Sequence, residues 1–178
     1  MSGHNLIKMD ALRRMFEGLK FKDVTTYIQS GNVVFKAKPE AKPALQKQIS
    51  KQIQLNFGFE VPVLVLEQSE LKRVIATNPF LKRKQIDLLK LHVTFLYDLP
   101  GAKGSTKPDA SAAQLKDLNF APDEFEIVEN AVYLHCPNGY GNTKLSNSFF
   151  ENKLKRSATT RNWKTLNELL NLSGIAKK

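Results

Sequence analysis

The sequence predicts an α+β protein made of two similar units in tandem. Three observations predict it. Runs of β-branched and aromatic residues fold back on themselves near 24–35 and 124–135. Apolar residues recur at helical spacing around those runs. The same order of elements is then legible twice. The chain has 178 residues, 42% hydrophobic and 25% charged. That is an ordinary globular balance, and a chain this long buries about 70% of its unfolded surface without staples.

Met9, Leu12, Met15, Phe16 and Leu19 share one face of a helix over 8–19. Val24 to Gln29 alternates and is rich in β-branched residues, so it is a strand. Ser30-Gly31-Asn32 is a tight turn, because Gly and Asn tolerate positive φ. Val33-Val34-Phe35 returns. Leu45, Ile49, Ile53 and Phe57 sit at i+4 steps on a helix over 41–57. Val61 to Leu66 reads as a strand, and Pro62, which has no N–H, makes it an edge.

Ser69 can cap a short helix carrying Leu71, Val74 and Ile75, which Asn78-Pro79 ends. Leu91, Val93, Phe95 and Tyr97 alternate on a strand. A Gly, Pro and Lys loop runs from Pro100 to Pro108, and Asp109 can cap a helix carrying Leu115 and Leu118. Phe125 to Val128 and Ala131 to His135 form a hairpin across Glu129-Asn130. Leu145, Phe149 and Leu154 mark a helix. Ala158 to Thr160 is short and extended, and Asn162 caps a last helix carrying Leu166, Leu169 and Leu170.

The second half therefore reads strand, helix, hairpin, helix, strand. The first reads helix, hairpin, helix, strand. Both fit the split βαβ, ferredoxin-like unit, with the first lacking its opening strand. The expected division is 1–66 for the first unit, 67–89 for a helical connector, and 90–178 for the second unit with its C-terminal helix. The opening strand of such a unit lies in mid-sheet. A gap is expected there, and self-association is one way to cover it.

The formal charge is +10, unevenly spread. Residues 109–130 carry one basic and six acidic side chains, an acidic patch on an otherwise basic chain. The charge suits either plain solubility or attraction to nucleic acid or a phosphorylated ligand. The densest basic run, Lys82-Arg83-Lys84, is too short for a polybasic membrane anchor. One cysteine excludes an internal disulfide framework. With no signal peptide and no long apolar run, the expectation is a cytoplasmic protein without membrane contact.

Four stretches carry a family likeness: Ser2 to Met9, Thr26 to Phe35, Asn138 to Leu145, and Ala158 to Trp163. They resemble the bacterial family catalogued as domain of unknown function 1697, along essentially the whole chain. The resemblance implies no assigned activity. It also implies an opening hydrophobic strand ending Arg-Gly-Ile-Asn-Val, which is absent here; Met1 stands where its last Val would be.

The best candidate site is Asn138 to Ser146. Gly139 and Gly141 flank Tyr140, and Asn142-Thr143-Lys144 is expected to open a helix. Converging amides, a helix dipole and the Lys144 charge would suit a phosphate or carboxylate. The spacing is not a Walker motif, and the plainer reading is a well-capped turn. Gly3, His4, Asn5 and Lys8 form a second such loop, whose plainer reading is a helix cap by Asn5. Arg161 could hold an anion bidentately, and Trp163 could stack on a base. Alternatively Arg161 pairs with an acid from 123–129 and Trp163 fills a groove.

Catalytic patterns are weak, and the reading leans away from an enzyme. Gly-x-Ser-x-Gly is absent, and Cys136 and His135 are neighbours that face opposite ways on a strand. His4, His92 and His135 have no metal-ligand spacing, so neither metal nor cofactor is expected. The hairpins lack an RNA-recognition motif, although Tyr133 and His135 share a strand face that could stack weakly on bases. The readings in order are a binding protein for a small anionic ligand, a nucleic-acid-associated protein, and a structural or partner-binding protein.

Overall fold

The computed structural model describes residues 7–98, 115 and 118–174. It is a mixed α+β fold with two small antiparallel sheets. Two compact units emerge, residues 1–69 with 168–178, and residues 70–167.

In the first unit, α1 (Met9–Gly18) buries Leu12, Met15 and Phe16, the apolar stripe seen in the sequence. Strands β1 (Lys22–Tyr27) and β2 (Asn32–Lys36) pair as an antiparallel hairpin with Thr25 opposite Val34 and Tyr27 opposite Asn32. Helix α2 (Lys42–Phe57) buries Leu45, Ile49 and Ile53, and ends at Gly58, whose φ of 82° needs a residue without Cβ. Ile7, Leu12, Phe16, Val24, Ile49 and Ile53 form one core. Phe21 stacks on Phe35 with centroids 4.6 Å apart.

The expected strand at Val61–Leu66 is not a ladder strand. Among the described residues its backbone makes no backbone hydrogen bond. The Val61 carbonyl instead accepts from Ser50 Oγ at 3.3 Å, and that of Val63 from Gln46 Nε2 at 2.9 Å. Val61, Val63 and Val65 still pack against the core. The residues supply strand propensity, but no described strand pairs with them.

In the second unit, helix α3 (Gln68–Ala76) leads through turns of 3-10 helix at Pro79–Lys82 and Leu88–Lys90. Strands β3 (Leu91–Tyr97), β4 (Glu124–Val128), β5 (Ala131–His135) and β6 (Ser157–Asn162) form a sheet of order β4-β5-β3-β6, antiparallel throughout. Helix α4 (Asn147–Leu154) belongs to this unit, whereas α5 (Trp163–Gly174) starts in it and its residues from 168 onward group with the first unit. Leu96, Val132, Leu134, Leu145, Phe150 and Leu154 pack as one core.

Most of the expected 67–89 connector belongs to this second unit rather than standing apart. Leu71 and Phe80 are buried, and the Tyr133 hydroxyl donates to the Val74 carbonyl at 2.9 Å. Of the helix expected from Asp109, only Leu115 (buried) and Leu118 (exposed) fall among the described residues.

Candidate functional site

The turn from Cys136 to Ser146 leaves β5 and enters α4. The Cys136 amide donates to the Lys90 carbonyl, and Gly139, at φ 88°, donates back to the Cys136 carbonyl at 2.9 Å. Only glycine takes that backbone readily. A turn of 3-10 helix follows at Tyr140–Asn142. Its amides are largely committed. Asn142 N–H donates to the Gly139 carbonyl, Thr143 N–H to that of Tyr140, and Leu145 N–H to Thr143 Oγ1.

The expectation that Asn142-Thr143-Lys144 opens a helix is therefore corrected. Helix α4 starts at Asn147, and Ser146 caps it by accepting from the Phe149 amide at 3.2 Å. Thr143 turns its hydroxyl to the chain's own Leu145 amide, which halts the helix short of Lys144. Lys144, Gly141 and Asn142 are exposed, and Asn142 Nδ2 is tied to the Asn138 carbonyl at 2.8 Å.

Tyr140 anchors the turn to the sheet. Its ring stacks on His92 with centroids 4.9 Å apart and planes at 24°. Its hydroxyl donates to Thr160 Oγ1 at 3.1 Å, and Thr160 donates to Asn147 Oδ1 at 2.6 Å. With its one proton so used, Thr160 accepts from Thr94, also at 2.6 Å. Burial is the main force raising the Tyr140 phenol above its ordinary range. Burial is likewise the main force lowering the His92 imidazole below its ordinary range. Its Nδ1 lies 3.3 Å from the Lys90 carbonyl and so carries the proton. The sequence reading did not join His92, Thr94, Asn147 or Thr160 to this turn. The available signal was Thr94, a polar residue within the largely apolar run from Val93 to Tyr97.

Arg161 is not brought to this turn. Thr160 pairs with Thr94 on one face of the sheet, so Arg161, opposite Val93, points to the other. Its Nη1 donates to Thr159 Oγ1 and to the Thr160 carbonyl, each at 2.8 Å, and burial lowers its pKa. Two of the acids of 123–129 take other partners: Glu124 pairs with Arg83, and Glu129 with Arg73 at 2.9 Å. Trp163 is buried at the start of α5, its ring serving the core, while Asn162 caps that helix through the Thr165 amide. Gly3, His4 and Asn5 lie outside the described residues. Lys8 occupies the N-cap position of α1 without a side-chain cap bond.

Tyr133 is buried with its hydroxyl on Val74 and Thr77, and His135 sits 3.3 Å from Glu124. The weak stacking face expected from these two residues is thus occupied by the unit's own chain. Among the described residues no three His, Cys, Asp or Glu side chains cluster as metal ligands, and no helix is long and apolar enough to cross a membrane.

A family model described as Protein of unknown function (DUF1697) matches residues 1–133. No curated protein matches the chain. Among solved structures the chain is similar to the conserved bacterial protein SP0830 from Streptococcus pneumoniae, with a TM-score of 0.71 and 18% identity over 97% of this chain and 92% of that one. Likeness at that identity concerns the fold.

Proposed function

The chain belongs to the DUF1697 family of proteins of unknown function, and we propose that it is a cytoplasmic binding module for a small anionic ligand held at residues 141–144. The supporting observation is Lys144, exposed on a turn whose foot Tyr140 and Thr160 fix to the sheet. Among the described residues Lys144 has no ion pair, and the Gly141 and Lys144 amides have no hydrogen-bond partner. A cation and two amides on a turn already ordered lose little freedom on binding. A phosphate or carboxylate group is the chemistry that they suit. Calorimetric titration of phosphate tests this. Lys144→Ala should abolish binding at millimolar phosphate while leaving the melting temperature unchanged; undiminished binding in that variant defeats the reading.

The first unit supports a second reading. The all-antiparallel order β4-β5-β3-β6 suits a split βαβ unit with β3 at its centre. We read both units this way, the first without a described equivalent of β3. Val61–Leu66 then takes the place of β6, and the space beside it takes one strand. The Val63 and Val65 amides, without a partner among the described residues, favour self-association by strand exchange through that gap. Sedimentation over a hundredfold concentration range should show association. A monomer throughout would remove this reading and leave the anion reading standing.

A further inference from the structure

The stretch from Leu81 to Lys90 carries an unusual surface. Its frame is fixed. Phe80 is buried, the Asn78 side chain caps the first 3-10 turn, and Arg83 is held by both oxygens of Glu124 at 2.7 Å. The Arg83 guanidinium also lies 4.8 Å over the Phe80 ring. Asp87 caps the second turn by accepting from the Leu89 amide at 2.9 Å. On this fixed frame Leu81 is 40% exposed, Leu88 47% and Leu89 76%.

An isolated exposed leucine is ordinary, but two adjacent ones on a capped turn present apolar area already ordered for contact. Lys82, Lys84 and Lys90 stand in the same stretch, and none of them makes an ion pair among the described residues. The only acid in the stretch, Asp87, has an oxygen engaged as a cap. The stretch thus combines exposed leucines with lysines that make no ion pair among the described residues. Its complement is an apolar pocket or stripe rimmed by carboxylates.

We propose that this surface docks an acidic protein segment that carries apolar side chains, with Leu88 and Leu89 as anchors and the three lysines as the charged rim. Nucleic acid fits less well, because phosphates would use the lysines and leave both leucines in water. An anionic membrane fits less well, because three lysines fall short of the about 4–8 needed for a polybasic anchor. Buried anchors set affinity, whereas rim charges set the rate of encounter and its salt dependence.

The test uses the full chain and a fluorescein-labelled amphipathic helical peptide of Leu and Glu, with an equally charged Ser and Glu peptide as control. The Leu and Glu peptide should bind, shift the amide signals of 81–90, and weaken as salt rises from about 0.05 to 0.3 M. Leu88→Ser/Leu89→Ser should weaken it by about tenfold. Both residues are already solvent-exposed, so that variant keeps its melting temperature. Equal binding of the Ser and Glu peptide, equal binding by the variant, or no binding of the Leu and Glu peptide would each overturn the proposal. So would tighter binding to an RNA oligonucleotide or to phosphatidylserine vesicles.

Discussion

Arg83 grips Glu124 through both carboxylate oxygens, Nη1 to Oε1 and Nη2 to Oε2, each at 2.7 Å. The hydrogen bonds from Arg83 are the main reason the Glu124 carboxyl falls to about 2. His135, 3.3 Å away, adds to the effect. Both partners of the ion pair are 45% exposed, so solvent screening holds its worth to about 0.5–1 kcal/mol.

Glu124→Gln should therefore cost about 0.5–1 kcal/mol at pH 7. The folded pKa lies below the unfolded value, so the stabilisation is fully present above about pH 4.5 and lost as pH falls toward 2. Urea melts of both proteins at neutral pH, pH 4 and pH 2 should show the gap closing. A gap that persists or widens at pH 2 would contradict the pairing.

Thr160 accepts from Tyr140 and Thr94 and donates to Asn147. Thr160→Val keeps the shape and removes the hub, leaving the fully buried Thr94 hydroxyl short of a partner. The cost should be about 1–3 kcal/mol, with faster amide exchange at 140–146. Unchanged exchange in that turn would show that Tyr140 stacking alone holds it.

Ile28 has φ 48°, a left-handed backbone that β-branched residues rarely adopt, and its side chain is 51% exposed. Little burial is lost by replacing it. Ile28→Asn should raise stability by about 0.5–1 kcal/mol, because Asn tolerates this conformation better. A lower melting temperature would mean that the Ile28 side chain has a packing role that its exposure conceals.

The hairpins and α1 were legible because each depends on residues near one another in sequence. The β-branched run from Val24 to Tyr27, the apolar run from Ala131 to Leu134 and the Leu12, Met15, Phe16 stripe need no distant partner to be read, although β1 ends at Tyr27 and the turn takes in Ile28 and Gln29, which the expected strand includes. Val61–Leu66 was only half legible. Its propensity is plain, but pairing is a property of the neighbour. The Gly139-Tyr140-Gly141 stretch announced a turn, yet nothing in its composition says where its amides go. Nor could spacing join Thr160 to Thr94, 66 residues away in the chain, or set Arg161 on the opposite face of the sheet.

The unladdered segment makes a direct forecast. Amides of Val63 to Leu66 should exchange much faster than those of Val93 to Leu96, which lie between two strands. Hydrogen exchange followed by NMR measures both at once. Comparable protection would show that a strand already covers Val61–Leu66 in solution.

The anion reading faces its most direct test in a phosphate titration followed by amide NMR at constant ionic strength. Gly141 and Lys144 signals should move first and saturate together at millimolar phosphate, and Lys144→Ala should leave them still. Movement spread evenly over the exposed lysines, or an unmoved 141–144 turn, would contradict the account.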